Sequence, residues 1–155
     1  MKYVLGIIVF ISIFQSRPSA QNQHPAGILY YSVDLHKITP KYYFSLLRLD
    51  SDSAKGAKFI SFGLDAPTNW IKLDDVKYFM QFINSTEKCR CIVKIHSSYI
   101  PPDNNFSTLG GQAMNLIDSY RKNEPYFYGL WNCSKNDILR AKGIMTWWKS
   151  INKKK

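Results

Sequence analysis

The sequence offers little to an enzyme or a metal. It holds three cysteines and three histidines in 155 residues. No two cysteines form a C-x-x-C pair, so a thioredoxin-like redox role has no support. Two cysteines and a histidine do fall together in Lys88–His96, KCRCIVKIH. Structural zinc usually takes four ligands; on a strand His96 faces away from Cys89 and Cys91, so even with Cys133 the set stays short. No metal and no cofactor is assigned. The nucleophile and zinc-hydrolase patterns G-x-S-x-G and H-E-x-x-H are missing. Asp50-Ser51-Asp52 begins like a calcium loop, but Ala54, Lys55 and Ser61 stand where that loop needs an oxygen ligand, a glycine and a glutamate. Leu109-Gly110-Gly111-Gln112 lacks the lysine and spacing of a phosphate-binding loop and reads as a helix entry. No catalytic residue is assigned.

Acidic residues are also scarce, 11 against 21 lysines and arginines. Internal repeats and low-complexity linkers are absent. Long apolar runs are absent too, except for Tyr3–Phe14. That run follows Met1-Lys2 and precedes the polar, small-residue stretch Gln15–Ala20, an order that predicts a secretory signal peptide cut near Ala20. Twelve apolar residues are few for a bilayer span, which wants about 20; an uncleaved anchor is the alternative. The expected product is exported, to a periplasm or the exterior. Lys2 and Arg17 fall in the signal, so 19 basic residues remain against 11 acids and the remainder carries +8.

Residues 21–155 suit a single domain, and 45% apolar with 15% aromatic content supports a folded core. Ile28–Leu35, Tyr42–Leu49 and Ala57–Leu64 read as strands, the last two as a hairpin around the turn cluster Asp50–Gly56. Asn69–Leu73 alternates like a short strand. Val76, Phe79, Met80 and Ile83 repeat at helical spacing behind Asp74-Asp75. Cys89–His96 reads as a strand with Cys89, Cys91, Val93 and Ile95 on its inward face. Ala113, Met114, Ile117 and Tyr120 predict a second helix over Gly111–Arg121, and Tyr126–Asn132 another strand. Ser134 with Asp137 resembles a capping box opening a third helix, whose apolar stripe is Ile138, Ala141, Met145 and Trp148. The expected class is α+β: an antiparallel or mixed sheet of about five to six strands packed on two to three helices.

Three functional features emerge. Export favours a disulfide, and Cys133 can pair with Cys89 or Cys91 if their strands are neighbours. Trp147, Lys149, Lys153, Lys154 and Lys155 place an aromatic beside a basic tail, which suits an anionic surface. Three Asn-X-Ser/Thr patterns begin at Asn84, Asn105 and Asn132. The leading functional expectation is a small exported, non-enzymatic binding protein whose partner is another protein or an envelope component. The first alternative is a binder of anionic lipid or polysaccharide through the C-terminal helix. The second is a secreted hydrolase using His96 or His36. Nothing in the sequence points specifically to nucleic acid.

Overall fold

The computed structural model describes residues 30–49, 59–94, 106–126 and 129–153. Four α-helices and six strands make up these segments. Strands β1 (Tyr30–Ser32) and β2 (Phe59–Phe62) are joined through helix α1 (Pro40–Leu46) and run parallel. Helix α2 (Leu73–Phe79), extended by a 3₁₀ turn over Met80–Phe82, leads to β3 (Lys88–Cys89) and β4 (Cys91–Lys94). β5 (Ser107–Thr108) runs straight into helix α3 (Leu109–Lys122). β6 (Trp131–Asn132) and helix α4 (Ile138–Asn152) complete the order.

The main sheet is mixed, in the order β1-β2-β4-β6, with β4 and β6 antiparallel. β3 and β5 form a separate antiparallel pair. The α+β class and a mixed sheet therefore hold, with two corrections. The described strands are divided between sheets of four and two, so the main sheet is smaller than expected. The α-helices among the described residues number four, not two to three.

The fourth helix is α1, where Tyr42–Leu49 was expected to be a strand. Its composition favours strands, but its local signals favour a helix. Thr39 Oγ1 accepts from Tyr42 N at 3.2 Å, and Pro40 occupies the first turn, where its missing N–H is no loss. Tyr43, Phe44 and Leu47 then fall on one buried face while Tyr42 is exposed. Burial at period 3.6 overrides β-propensity. With this strand the expected hairpin disappears too; its other arm survives as β2.

Asn69–Leu73 is likewise not a strand among the described residues. Asn69 takes a left-handed φ of 56° in a turn closed by Trp70 N donating to Pro67 O at 3.0 Å. Helix α3 starts two residues before its expected start. α4 starts with Asp137, not Ser134, as its cap: Asp137 Oδ1 accepts from Leu139 N and Arg140 N at 2.9 and 3.0 Å. Ile138 is 71% exposed and stands off the expected stripe, which is carried by Ala141, Ile144, Met145 and Trp148.

The Cys89–His96 expectation fails in an informative way. The run breaks at Arg90, whose N–H donates to Leu47 O at 2.7 Å and whose guanidinium donates to the carbonyls of Leu46 and Arg48. Arg90 thus caps the C-terminal end of α1, where unpaired carbonyls need donors. One residue is taken out of the alternation, as in a bulge. Cys89 and Ile92 join the large core beneath the helices, whereas Cys91 and Val93 pack with Phe59 on the opposite face. Cys89 and Cys91 do not share a face. Ile95 and His96 lie outside the described residues.

Candidate functional site

The register of β4 against β6 pairs Ile92 with Asn132 and Val93 with Trp131. One step further along, it sets Cys91 opposite Cys133. These two form the disulfide, with Cα atoms 4.7 Å apart. Between the two sequence alternatives the fold selects Cys91, because Cys89 turns the other way. A disulfide is at home in an oxidising compartment. Cys89 is free and buried. Burial, and then the Glu87 charge, push its thiol up to about 12, so it is a neutral core residue and a poor nucleophile.

Behind the disulfide lies a polar cluster whose burial the sequence did not advertise. Gln112, Asn115, Asp118, Ser119 and Lys122 recur along one side of α3 at helical spacing. Gln112 is fully buried. Its Nε2 donates to Ser107 Oγ at 2.7 Å and to Asn132 Oδ1 at 3.2 Å. Its Oε1 accepts from Tyr126 Oη at 3.4 Å, and Tyr126 in turn meets Tyr43 Oη at 3.2 Å. Burial raises both phenols above their ordinary range, keeping them neutral. Asn115 Nδ2 donates to Ser134 Oγ at 2.8 Å and to Asn132 Oδ1 at 3.1 Å.

The cluster continues outward through a charged pair. Arg140 Nη1 donates to Asn115 Oδ1 at 3.0 Å, and its Nε and Nη2 each lie 2.8 Å from Asp118 Oδ2. Asp118 is 9% exposed. Arg121 Nη2 lies 3.1 Å from Asp118 Oδ1, but out of alignment, so that oxygen is paired by charge without a hydrogen bond. Close backbone approach holds this arrangement together. Thr108 N donates to Ser134 O at 2.9 Å, and a Cβ on Gly111 would sit 2.4 Å from the same oxygen. Only glycine fits there.

Where the cluster reaches solvent it opens into a cleft of about 340 Å³, bounded by Asn115, Asp118, Lys122, Trp131, Asn132 and Arg140. Trp131, at the sheet edge, is 39% exposed. A smaller cavity of about 170 Å³ lies across the turn after α3, between Trp70 and Tyr120. The two share Ser119, Glu124, Pro125 and Tyr126 as a dividing ridge.

Of the residues singled out in the sequence, Asn132 belongs to this cluster, and the other described ones lie elsewhere. Trp147 is half-buried, in edge contact with Tyr120 at 6.4 Å and under the Arg121 guanidinium at 5.9 Å. Lys149 and Lys153 are exposed at the C-terminal end of α4; Lys154 and Lys155 are outside the described residues. His36 is exposed, and its N–H donates to Asp34 Oδ1 at 3.0 Å. His96, Asn105 and the expected signal segment are outside the described residues. Asn84 is exposed, whereas the Asn132 carboxamide belongs to the polar cluster. Among the described residues no three His, Cys, Asp or Glu side chains gather as a metal site, and no helix is long and apolar enough to cross a membrane. No protein-family model matches the chain, and no curated protein or solved structure does either.

Proposed function

We propose that the protein is a small exported, non-enzymatic binding protein whose ligand site is the cleft between α3, β6 and α4. The observation that carries this reading is the buried Gln112–Asn115–Asp118–Arg140 network ending at that cleft. Burying an amide and a charged pair is expensive unless every group is satisfied, and an apolar packing would fill the same space at lower cost. Such a network fixes a few polar groups in space, which is what a recognition site requires. The disulfide staples β6, and with it Trp131 and Asn132, to the sheet. An envelope component is the partner that best matches export and a wet, polar cleft.

Nuclear magnetic resonance of the full exported chain tests this. Soluble envelope fragments, short peptides and anionic lipid micelles would be titrated separately. We expect at least one class to shift the Asn115, Asn132, Arg140 and Trp131 side-chain signals. Shifts confined to Lys149 and Lys153 would overturn the cleft in favour of the helix-end surface, and so would a complete absence of shifts at the cleft.

A further inference from the structure

We infer that the smaller cavity, between Trp70 and Tyr120, takes an alkylated ammonium group. This is a second site and does not depend on the cleft. One wall is the turn before α2, residues 66–71; the other is the last turn of α3 and the chain that follows it. The first argument is charge. Glu124 is the one charged residue in the lining among the described residues, in a chain that carries 21 lysines and arginines. Its backbone N–H and carbonyl are both tied to Ser119, but its carboxylate makes no hydrogen bond or ion pair with a described residue. The cations nearby are engaged elsewhere. Arg121 Nη2 lies 3.1 Å from Asp118 Oδ1, and its guanidinium lies 5.9 Å from the Trp147 ring centroid. Arg140 is paired with Asp118, and Lys122 bounds the cleft on the far side of the ridge. An anion entering this cavity would meet a carboxylate and no cation in the walls. The net charge of +10 opposes a cation from afar, but salt screens that repulsion beyond about 8 Å, whereas Glu124 acts at contact.

The second argument is size and surface. At about 170 Å³ the cavity is well below the roughly 300–1,000 Å³ of sites for drug-sized ligands, so its occupant is a small group. Trp70 Nε1 donates to Ile38 O at 3.0 Å. The indole therefore spends its one donor inside the fold, and its π surface is what it can offer the cavity. Aromatic faces attract cations through their quadrupole, more strongly as water is excluded. Alkyl groups weaken the hydration of an ammonium and let it exchange water for rings. A calcium-like metal ion would need six or more oxygen ligands, and one carboxylate does not supply them.

The third argument is rigidity. Trp70 packs against Tyr43 and Tyr126 with ring centroids 5.6 and 5.9 Å away, and Tyr120 against Trp147 at 6.4 Å. Asn69 and Asn123, the two described non-glycine residues at left-handed φ, both line the cavity. Asn123 ends α3, and Asn69 turns the chain opposite it. These two reversals set the gap between the walls, so little ordering remains to be done on binding.

The test adds choline, tetramethylammonium and the uncharged tert-butyl analogue of choline separately to the disulfide-intact full chain, and follows aromatic and indole resonances. Both cations should shift Trp70 and Tyr120 with a dissociation constant below about 10 mM. The uncharged analogue should bind at least about threefold more weakly. Glu124→Gln should weaken choline by about threefold to fivefold, and that exposed side chain has no partner whose loss would disturb the fold. Tyr120→Leu should weaken it by about threefold, whereas Tyr120→Phe, which keeps a ring, retains most of the affinity. Unchanged circular dichroism shows that the variants remain folded. Equal binding of the uncharged analogue, or choline binding indifferent to Glu124→Gln, overturns the inference. So does the absence of shifts at Trp70 and Tyr120. Choline shifts confined to Asn132 and Arg140 would put the cation in the cleft and overturn this assignment while leaving the cleft standing.

Discussion

Helices α3 and α4 are nearly equal in length, 14 and 15 residues, and both read as amphipathic in the sequence. The protein uses them in opposite ways. α3 buries nine residues, Gln112 and Asp118 among them; α4 buries only Ala141 and Ile144. α4 carries the conspicuous functional signs, tryptophans and lysines, but apart from Arg140, which reaches Asp118, its charges sit in water, where they cost little and select little. α3 carries inconspicuous amides inside the protein, where each must be answered by a partner. Polar residues that a fold goes to the expense of burying are better pointers to a site than charges it leaves outside.

Removing the disulfide should have the largest effect, because it detaches the strand that answers the polar side of α3. The two cysteines are 42 residues apart in sequence. Opening a loop of that length should remove about 4 kcal/mol of stability. The melting temperature of the Cys91→Ala, Cys133→Ala double variant should then fall by roughly 10–20 °C. The single variant Cys91→Ala sharpens the point: Cys89 faces the other core, so both remaining cysteines should be found as thiols on alkylation of the denatured, unreduced protein. A Cys89–Cys133 bond in that variant would show that the two faces exchange.

Next in size is Gln112→Leu, which keeps volume but removes the centre of the network. Ser107, Asn132, Asn115 and Tyr126 each lose a partner. Unsatisfied buried groups of this kind should cost about 1–3 kcal/mol in denaturant unfolding. A neutral or stabilising result would mean that the cluster is not structurally coupled, and α3 would then resemble α4.

Much of this organisation can be read from the residues, and the rest depends on tertiary pairing. Helices over 74–83, 111–121 and 138–151 follow from apolar spacing, because period 3.6 is a local property. β2 and the inward turn of Cys89 follow from a short run of apolar residues. The Thr39-Pro40 pair was also legible as a helix start, though the aromatic run behind it argued for a strand. The bulge at Arg90 was not legible: only the position of α1's carbonyls explains why that arginine leaves the alternation. The cleft was half-legible. The polar stripe Gln112, Asn115, Asp118/Ser119, Lys122 is visible at helical spacing, but solvent is the ordinary destination for such a face. What reverses that expectation is the return of residues 131–140 across α3, a contact remote in sequence.

The smallest effects should come from α4, and their smallness is the point. Ile138 and Leu139 are 71% and 79% exposed at its first turn, and Gly143 has open space around it. Ile138→Ser, Leu139→Ser and Lys149→Gln should each change unfolding free energy by no more than about 0.5 kcal/mol. Gly143→Ala should stabilise by about 0.5–1 kcal/mol, since an added methyl meets nothing and helix propensity improves. Arg140→Ala, in the same helix, breaks the pattern because it touches α3: it strands Asp118, a largely buried carboxylate, beside Arg121 alone. Its cost should exceed those of its helical neighbours by about 1–2 kcal/mol, discounted because the arginine itself is partly exposed. Equal effects along the whole helix would mean that the division between a covering helix and a site-bearing helix is wrong. A step confined to Arg140 would locate the boundary between them at the cleft.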